Sequence, residues 1–390
     1  QAFPTARLKL ENRYSAGMIG GRHEHVCKSY DLHDNRHNNA APNSIAMTNK
    51  EEVQPGWATA ADVAALAGVS RSAVSRTFTP GASVSPATRE RVLKAAEELG
   101  YQVNRLASSV TRRQSTLVSV VIPGMQNAFV VQLLGPILRH LAHYSLAPLL
   151  MDVGDPPQME ESLRYLLQYR VAGVLFTSGS PPIELAREYL RLQVPVVMIN
   201  RGSNLEGVDV VSSDNHLGGV LAGRCLIATG ARRLAYVNLP SGTYSGGLRA
   251  AGFGEAAATS GQGAVSLEFL QGKRSGYDGG ADIAVQLLDR PANLRPEGVF
   301  CANDTLAFGF MDTARHAFGL RIPEDIVVVG FDDIPMAAAT SFRLTTVRQD
   351  VEGLAYEAVD RLVERMSDPS RPARTQTLPV ELVTRQTTFR

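Results

Sequence analysis

Arg71, Ser72, Ser75 and Arg76 stand within six residues of one another, and their types and spacing suit contact with a nucleic acid. On a helix of 3.6 residues per turn these four share one arc, while Val74 and Phe78, four apart, face the opposite way. A polar, arginine-bearing face of this kind fits the major groove, where arginine can bridge two acceptors of guanine. A solvated helix face has the same composition, so the flanking sequence must decide. Charge decides part of it: from Thr59 to Thr116 eight basic residues stand against four acidic ones, a local +4 in a chain whose net charge is +1. Motifs for other chemistry are missing. No G-x-G-x-x-G follows the first strand, and there is no G-x-x-x-x-G-K-[ST], G-x-S-x-G or H-E-x-x-H. Cys27, Cys225 and Cys301 lie far apart, and His23, His25, Cys27, His33 and His37 match no metal-ligand spacing. No catalytic residue, metal or cofactor is expected.

The elements that must carry the arginine face are legible from their caps. Thr59 with Asp62 forms a capping-box start for a helix over 60–67, and Gly68 breaks it. Ser70 caps a second helix to about Phe78; Ser85 with Pro86 at the first helical position opens a third that ends at Gly100. Helix, glycine turn and helix make a helix-turn-helix. Beyond Arg113 the pattern alternates. Apolar runs at 117–122, 173–176, 194–199, 234–237, 298–300 and 326–329 predict buried parallel strands. Amphipathic stretches at 131–143, 160–169, 183–192, 217–228, 281–288 and 304–317 predict the helices between them. Repeated β-α-β over more than two hundred residues predicts doubly wound sheets in two lobes. The fold class is therefore α/β, with residues 1–57 a disordered or non-native extension, 58–103 a helix-turn-helix domain, 104–114 a hinge helix and linker, and 115–390 a two-lobed core. Hydrophobic residues make up 44% and charged residues 20%. With no long apolar stretch and no secretion signal, the expectation is a cytoplasmic, nucleoid-associated protein without membrane contact.

Residues 62–110, including Val84-Ser85-Pro86-Ala87-Thr88-Arg89-Glu90-Arg91-Val92, Leu99-Gly100-Tyr101 and Asn104-Arg105-Leu106-Ala107, resemble the headpiece of the LacI/GalR (lactose-repressor/galactose-repressor) family of transcription regulators. The resemblance implies DNA contacts from Thr59, Ser70, Arg71, Ser72, Ser75 and Arg76, with Arg71, Ser72 and Arg76 where the family reads bases. It also implies a hinge helix over 104–110, with Asn104, Arg105, Ala107 and Val110 at the minor groove. Val110 stands where the family inserts a leucine between base pairs; valine is shorter and β-branched, so its wedge reaches less far.

Residues 117–387 resemble the core that this family shares with periplasmic sugar-binding proteins. The landmarks are Asn127-Ala128-Phe129, Ile199-Asn200-Arg201, Ser213-Asp214-Asn215, Arg249-Ala250-Ala251-Gly252-Phe253, Ala302-Asn303-Asp304 and Gly330-Phe331-Asp332-Asp333. The resemblance implies a small-molecule effector, a sugar or sugar derivative, between the lobes. Arg249 would hold a hydroxyl pair or carboxylate through its fork, Asp332, Asn303, Asn200 and Asn127 would supply polar contacts, and Phe129 a wall. Taken singly, Asp332 equally suits a turn cap, Asn303 a helix cap and Phe129 the core. Implied partners are double-stranded operator DNA and a second copy of the chain. A tetramer would need a C-terminal zipper, whereas this chain ends soon after a strand-like run at 376–383, so a homodimer is expected.

Overall fold

The structure, a computed structural model, describes residues 57–79, 81–104, 115–153, 156–177, 183–202, 205–240, 243–261 and 263–389. The first three helices are α1 (Ala60–Ala67), α2 (Arg71–Thr77) and α3 (Pro86–Glu98). The Thr59 hydroxyl accepts from the Ala61 and Asp62 amides, and the Thr59 amide donates to the Asp62 carboxylate at 2.7 Å, a complete capping box. Gly68 ends α1 at φ 62°, a left-handed conformation that costs a residue with a Cβ but not glycine. Val63, Val74 and Val92 are fully buried and meet Ala64, Ala67, Ala95 and Ala96 in a small core. Arg89 donates to the Thr77 carbonyl at 2.9 Å and ties α3 to the end of α2.

The remainder is α/β. Its first lobe runs β1 (Leu117–Ile122), α4 (Ala128–His143), β2 (Ala147–Asp152), α5 (Pro156–Leu166), β3 (Gly173–Phe176), α6 (Ile183–Arg191), β4 (Val196–Ile199) and β5 (Val208–Ser213). The second lobe runs α7 (Asn215–Ala228), β6 (Arg233–Asn238), α8 (Tyr244–Ala258), β7 (Ser266–Gln271), α9 (Gly276–Leu288), β8 (Gly298–Cys301), α10 (Asp304–His316), β9 (Val327–Asp332) and β10 (Thr345–Gln349). The chain then returns to the first lobe. There α11 (Val351–Ser367) buries Leu354, Ala358 and Leu362 against the core beneath β1 and α4.

Two short strands finish the sheets: β11 (Thr375–Leu378) joins the first and β12 (Val380–Val383) the second. The sheet orders are β2-β1-β3-β4-β5-β11 and β7-β6-β8-β9-β10-β12. Each is the 2-1-3-4-5 order of a doubly wound fold with one strand added at the same edge. All neighbours are parallel except β10 and β12. The strand-like run at 376–383 is thus two strands in two lobes, because Pro379 breaks it at the crossing. Three crossovers join the lobes, at Asp214, Asp350 and Pro379. The two aspartates do the same local work: each carboxylate caps the helix after its crossover, α7 through the Leu217 amide and α11 through the Gly353 amide.

Candidate functional site

On α2 the sequence-expected arc is turned outward. Arg71, Ser72, Ser75 and Arg76 are exposed, while Val74 and Thr77 are buried. Phe78 caps the helix rather than lying within it, and its ring rests 5.5 Å from that of Tyr101. Arg71 has no partner among the described residues, whereas the Arg76 Nε donates to the Ser72 carbonyl at 3.3 Å. Ser70 and Thr59 use their hydroxyls as caps, and the Ser70 and Ser72 hydroxyls lie 2.9 Å apart. Asn104 is exposed; Arg105, Ala107 and Val110 lie outside the described residues, as does the expected hinge helix beyond Asn104.

In the core, the loops after the carboxyl ends of β1, β4, β6, β8 and β9 meet between the lobes, beside the points where the strand order reverses. Open α/β sheets bind their ligands at this place. Asn127, Phe129, Asn200, Arg249, Asn303 and Asp332 all line one cleft of about 90 Å³ there. Arg201, Leu239, Thr243, Tyr244 and Ser245 line it too and were not singled out from sequence. Tyr244 is the first residue of α8, and its ring lies over Gly202 so closely that a Cβ at Gly202 would displace it.

Arg249 is positioned by helix packing. Gly219 on α7 and Gly252 on α8 let the two backbones touch: a Cβ at either would strike a carbonyl of the other helix. Arg249, 7% exposed, thereby reaches the start of α7, where its Nε donates to Asn215 Oδ1 at 2.8 Å. Its Nη1 donates to the Ala302 carbonyl, and its guanidinium carbon lies 3.5 Å from the centre of the Phe331 ring. Its Nη2 lies 3.9 Å from Asp332 Oδ1. Nε and one N–H of Nη1 thus donate to the protein, which leaves the second N–H of Nη1 and both of Nη2 for a ligand.

Asp332 ends β9 with φ 115° and is followed by Asp333 with φ 53°, both in the region that L side chains avoid. The next residue anchors the turn: the Ile334 amide donates to the buried Asp304 carboxylate at 2.9 Å. Burial pushes the Asp332 carboxyl up to about 6, against the pull of Arg249 and a hydrogen bond from Gln349. Burial raises Asp304 well above the usual carboxylate range as well. Both ends of the Asn200 amide are occupied, Nδ2 by Gln349 Oε1 at 2.7 Å and Oδ1 by the Ser213 amide at 2.8 Å. Asn127 and Asn303 cap α4 and α10 with their oxygens, which leaves their amide nitrogens without partners among the described residues.

No group of three or more metal-ligating side chains occurs among the described residues, and no described helix is long and apolar enough to cross a membrane. A helix-turn-helix with an exposed arginine face, joined in one chain to a two-lobed α/β core with a polar interlobe cleft, defines a ligand-responsive DNA-binding protein. Residues 59–104 match the family of bacterial regulatory proteins called the lacI family, and residues 224–388 match the periplasmic binding protein-like domain. The chain is 32% identical over 328 residues to the ribose operon repressor of Escherichia coli (strain K12), covering 83% of this chain and 98% of the relative. It is 30% identical to the HTH-type transcriptional repressor PurR of Vibrio vulnificus, covering 85% and 98%. Among solved structures it is similar to the lac repressor dimer bound to operator and the anti-inducer ONPF, with 27% identity, TM-score 0.76 and coverage of 86% and 100%. It is also similar to the transcriptional regulator CelR in complex with cellobiose, with 30% identity, TM-score 0.64 and coverage of 85% and 99%. The chain belongs to the lacI family of bacterial regulatory proteins and is a DNA-binding transcription regulator.

Proposed function

We propose that this protein is a cytoplasmic repressor without catalytic activity. It binds a two-fold operator as a homodimer through the outward face of α2 and is controlled by a neutral polyol, a sugar or close derivative, held between Arg249 and Asp332. The observation that carries the reading is the 3.9 Å gap between Arg249 Nη2 and the Asp332 carboxylate. A hydroxyl group can accept from the first and donate to the second, and neighbouring hydroxyls of one sugar can divide the two roles. An anion fits less well, because Asp332 and Asp304 both stand near Arg249. The ribose and cellobiose named with relatives of this chain are neutral polyols.

The cleft volume supplies the regulatory logic. About 90 Å³ is well below the ~300 Å³ at which small-molecule pockets usually begin. A sugar that binds a more open arrangement of the lobes better than this one shifts the equilibrium by that difference in affinity. Gel shifts with DNA upstream of the protein's own gene, run with and without D-ribose, cellobiose and D-gluconate, test the reading. Retardation that a neutral sugar alters and gluconate does not is the expected result. No retardation at low salt would overturn the DNA reading, and a response to gluconate alone would overturn the neutral-polyol reading.

A further inference from the structure

Six buried polar residues around the cleft form a hydrogen-bonded ring with one link missing. From Asp332, Gln349 Nε2 donates to Oδ1 at 2.7 Å. Gln349 Oε1 then accepts from Asn200 Nδ2 and from the Ser213 hydroxyl, both at 2.7 Å. From the other side, Arg249 Nε donates to Asn215 Oδ1 at 2.8 Å, and Asn215 Nδ2 donates to the Ser213 carbonyl at 3.0 Å. The arms meet at Ser213, whose amide donates to Asn200 Oδ1 at 2.8 Å. None of the six is more than 9% exposed. The only open position is the 3.9 Å between Arg249 Nη2 and Asp332.

The ring also bridges the lobes. Asn200 and Ser213 follow or end strands of the first lobe, Gln349 ends β10 of the second, and Asn215 opens α7. Ser213 and Asn215 flank the crossover at Asp214, while Gln349 immediately precedes the one at Asp350. Asn200 is held at φ 54°, so its place in the ring depends on its partners rather than on a relaxed backbone.

We propose that Gln349 and Asn215 are the positioning residues of this regulator. Each carries the state of one cleft group to the interlobe crossovers, Gln349 for Asp332 and Asn215 for Arg249. Neither faces the gap itself; each fixes one side of it. A ligand hydroxyl that bridges the gap completes the ring, so occupation of the cleft is felt at Ser213 through two separate arms. The inference rests on the polyol reading for what fills the gap, but the ring exists without ligand and is tested without it.

The test is hydrogen exchange of the Ser213 amide in the intact, ligand-free protein, resolved to single residues by fragmentation mass spectrometry. Asp332→Leu removes the acceptor of the Gln349 arm and should speed exchange at Ser213 about fivefold, the local opening expected when one buried hydrogen bond is lost. Asp332→Asn keeps a carbonyl oxygen for Gln349 and should leave the parent rate. Gln349→Met removes the bond to Asp332 and also the two that Gln349 accepts from Asn200 and Ser213, so it should speed exchange at least as much as Asp332→Leu, and adding Asp332→Leu to it should speed exchange no further, because they cut the same arm. Asn215→Leu cuts the other arm, so its effect should multiply with that of Asp332→Leu; it also serves if Gln349→Met fails to fold. Unchanged Ser213 exchange in Asp332→Leu, or equal acceleration in Asp332→Asn, would overturn the proposal. Either failure leaves the gel-shift test of the polyol reading standing, and a failed gel shift leaves the exchange pattern interpretable.

Discussion

Arg71 and Arg76 stand on a seven-residue helix with their charges in water, whereas Arg249 is 7% exposed on a helix packed backbone to backbone against its neighbour. Among the described residues the outward pair is held by little: Arg71 has no partner, and Arg76 makes one contact at 3.3 Å to its own helix. The inward arginine has two nitrogens fixed and an aromatic ring beneath it. On the proposed function, this difference follows from what each surface would meet. DNA brings its own dense array of acceptors and phosphates, so a reading side chain gains by staying uncommitted until contact. A sugar brings a few hydroxyls, and discriminating among them needs donors and acceptors whose positions are fixed beforehand.

The comparison breaks most visibly if Arg249 is removed. Arg249→Met leaves Asp332 buried without its cation and strands the Asn215 and Ala302 oxygens, so the core should lose about 3–5 kcal/mol of stability. Arg71→Ala should change stability by less than about 0.5 kcal/mol. Urea unfolding of both variants, with calorimetry for D-ribose and cellobiose, checks this. A stable Arg249→Met that still binds the parent's sugar would remove Arg249 from the site and make the two arginines equivalent.

Next in size is the pH dependence of the cleft. The folded Asp332 carboxyl titrates near 6, above its ordinary 3.8, so the folded state holds more protons than the unfolded chain between those values. Stability therefore falls as pH rises through about 4 to 6, and by pH 7 the buried charge costs about 3 kcal/mol. Asp332→Asn should melt higher than the parent at pH 7 and show a shallower slope across this window. Some slope of the same sign remains, because burial raises Asp304 too. Sugar affinity should rise with pH through about 6, since the ionised carboxylate is the better acceptor. An unchanged pH–melting profile in Asp332→Asn would show that Asp332 is not the buried charge that matters.

How much of this was legible in the sequence follows the range of the interactions. The helix-turn-helix was readable nearly to the residue because its punctuation is local: Thr59 with Asp62, Gly68, Ser70, and Ser85 with Pro86 all act within four positions. Strands β1, β3, β4, β6, β8 and β9 announced themselves as apolar runs. Strands β5 and β10 did not, because Asp209, Ser213, Thr345, Thr346 and Gln349 break the run with polar groups satisfied only in the fold. Asp209 meets Arg365, and Thr345 meets Thr388, across long stretches of chain. The edge strands β2 and β7 were missed for the opposite reason, since solvent on one side permits Glu268 and Gln271 in one and Pro148 and Asp152 in the other. Six cleft residues came from the family resemblance, and the structure brings all six together. Gln349 had no such signal, because its partners Asn200 and Ser213 lie more than a hundred residues away.

The outward arginines sharpen the comparison at a smaller scale. Replacing Arg71 with Ala should cost about 1–3 kcal/mol on the preferred operator and relax the choice of base at one position in each half-site. Arg76→Ala should behave similarly. Binding titrations against operator variants measure both. Equal weakening on every sequence, with a reduced salt slope, would instead make Arg71 a phosphate contact.

The smallest effect separates fold from contact on a single residue. Ser70 accepts from the Ala73 amide at 3.2 Å and shares a hydrogen bond with Ser72, so its hydroxyl is already in use as the cap of α2. Ser70→Ala should destabilise the helix by about 1 kcal/mol, read as faster amide exchange along α2, and weaken operator binding by no more than that loss explains. Ser70→Asp distinguishes the cap from a DNA contact, because aspartate caps as well as serine and its charge favours the helix N-terminus. The α2 amides should then exchange at the parent rate. If Ser70 also faces the DNA backbone, the added carboxylate meets phosphate, and operator binding should fall more than tenfold while the helix stays intact. Operator affinity equal to the parent's in Ser70→Asp would confine Ser70 to the cap, leaving Arg71, Ser72, Ser75 and Arg76 as the reading face of α2.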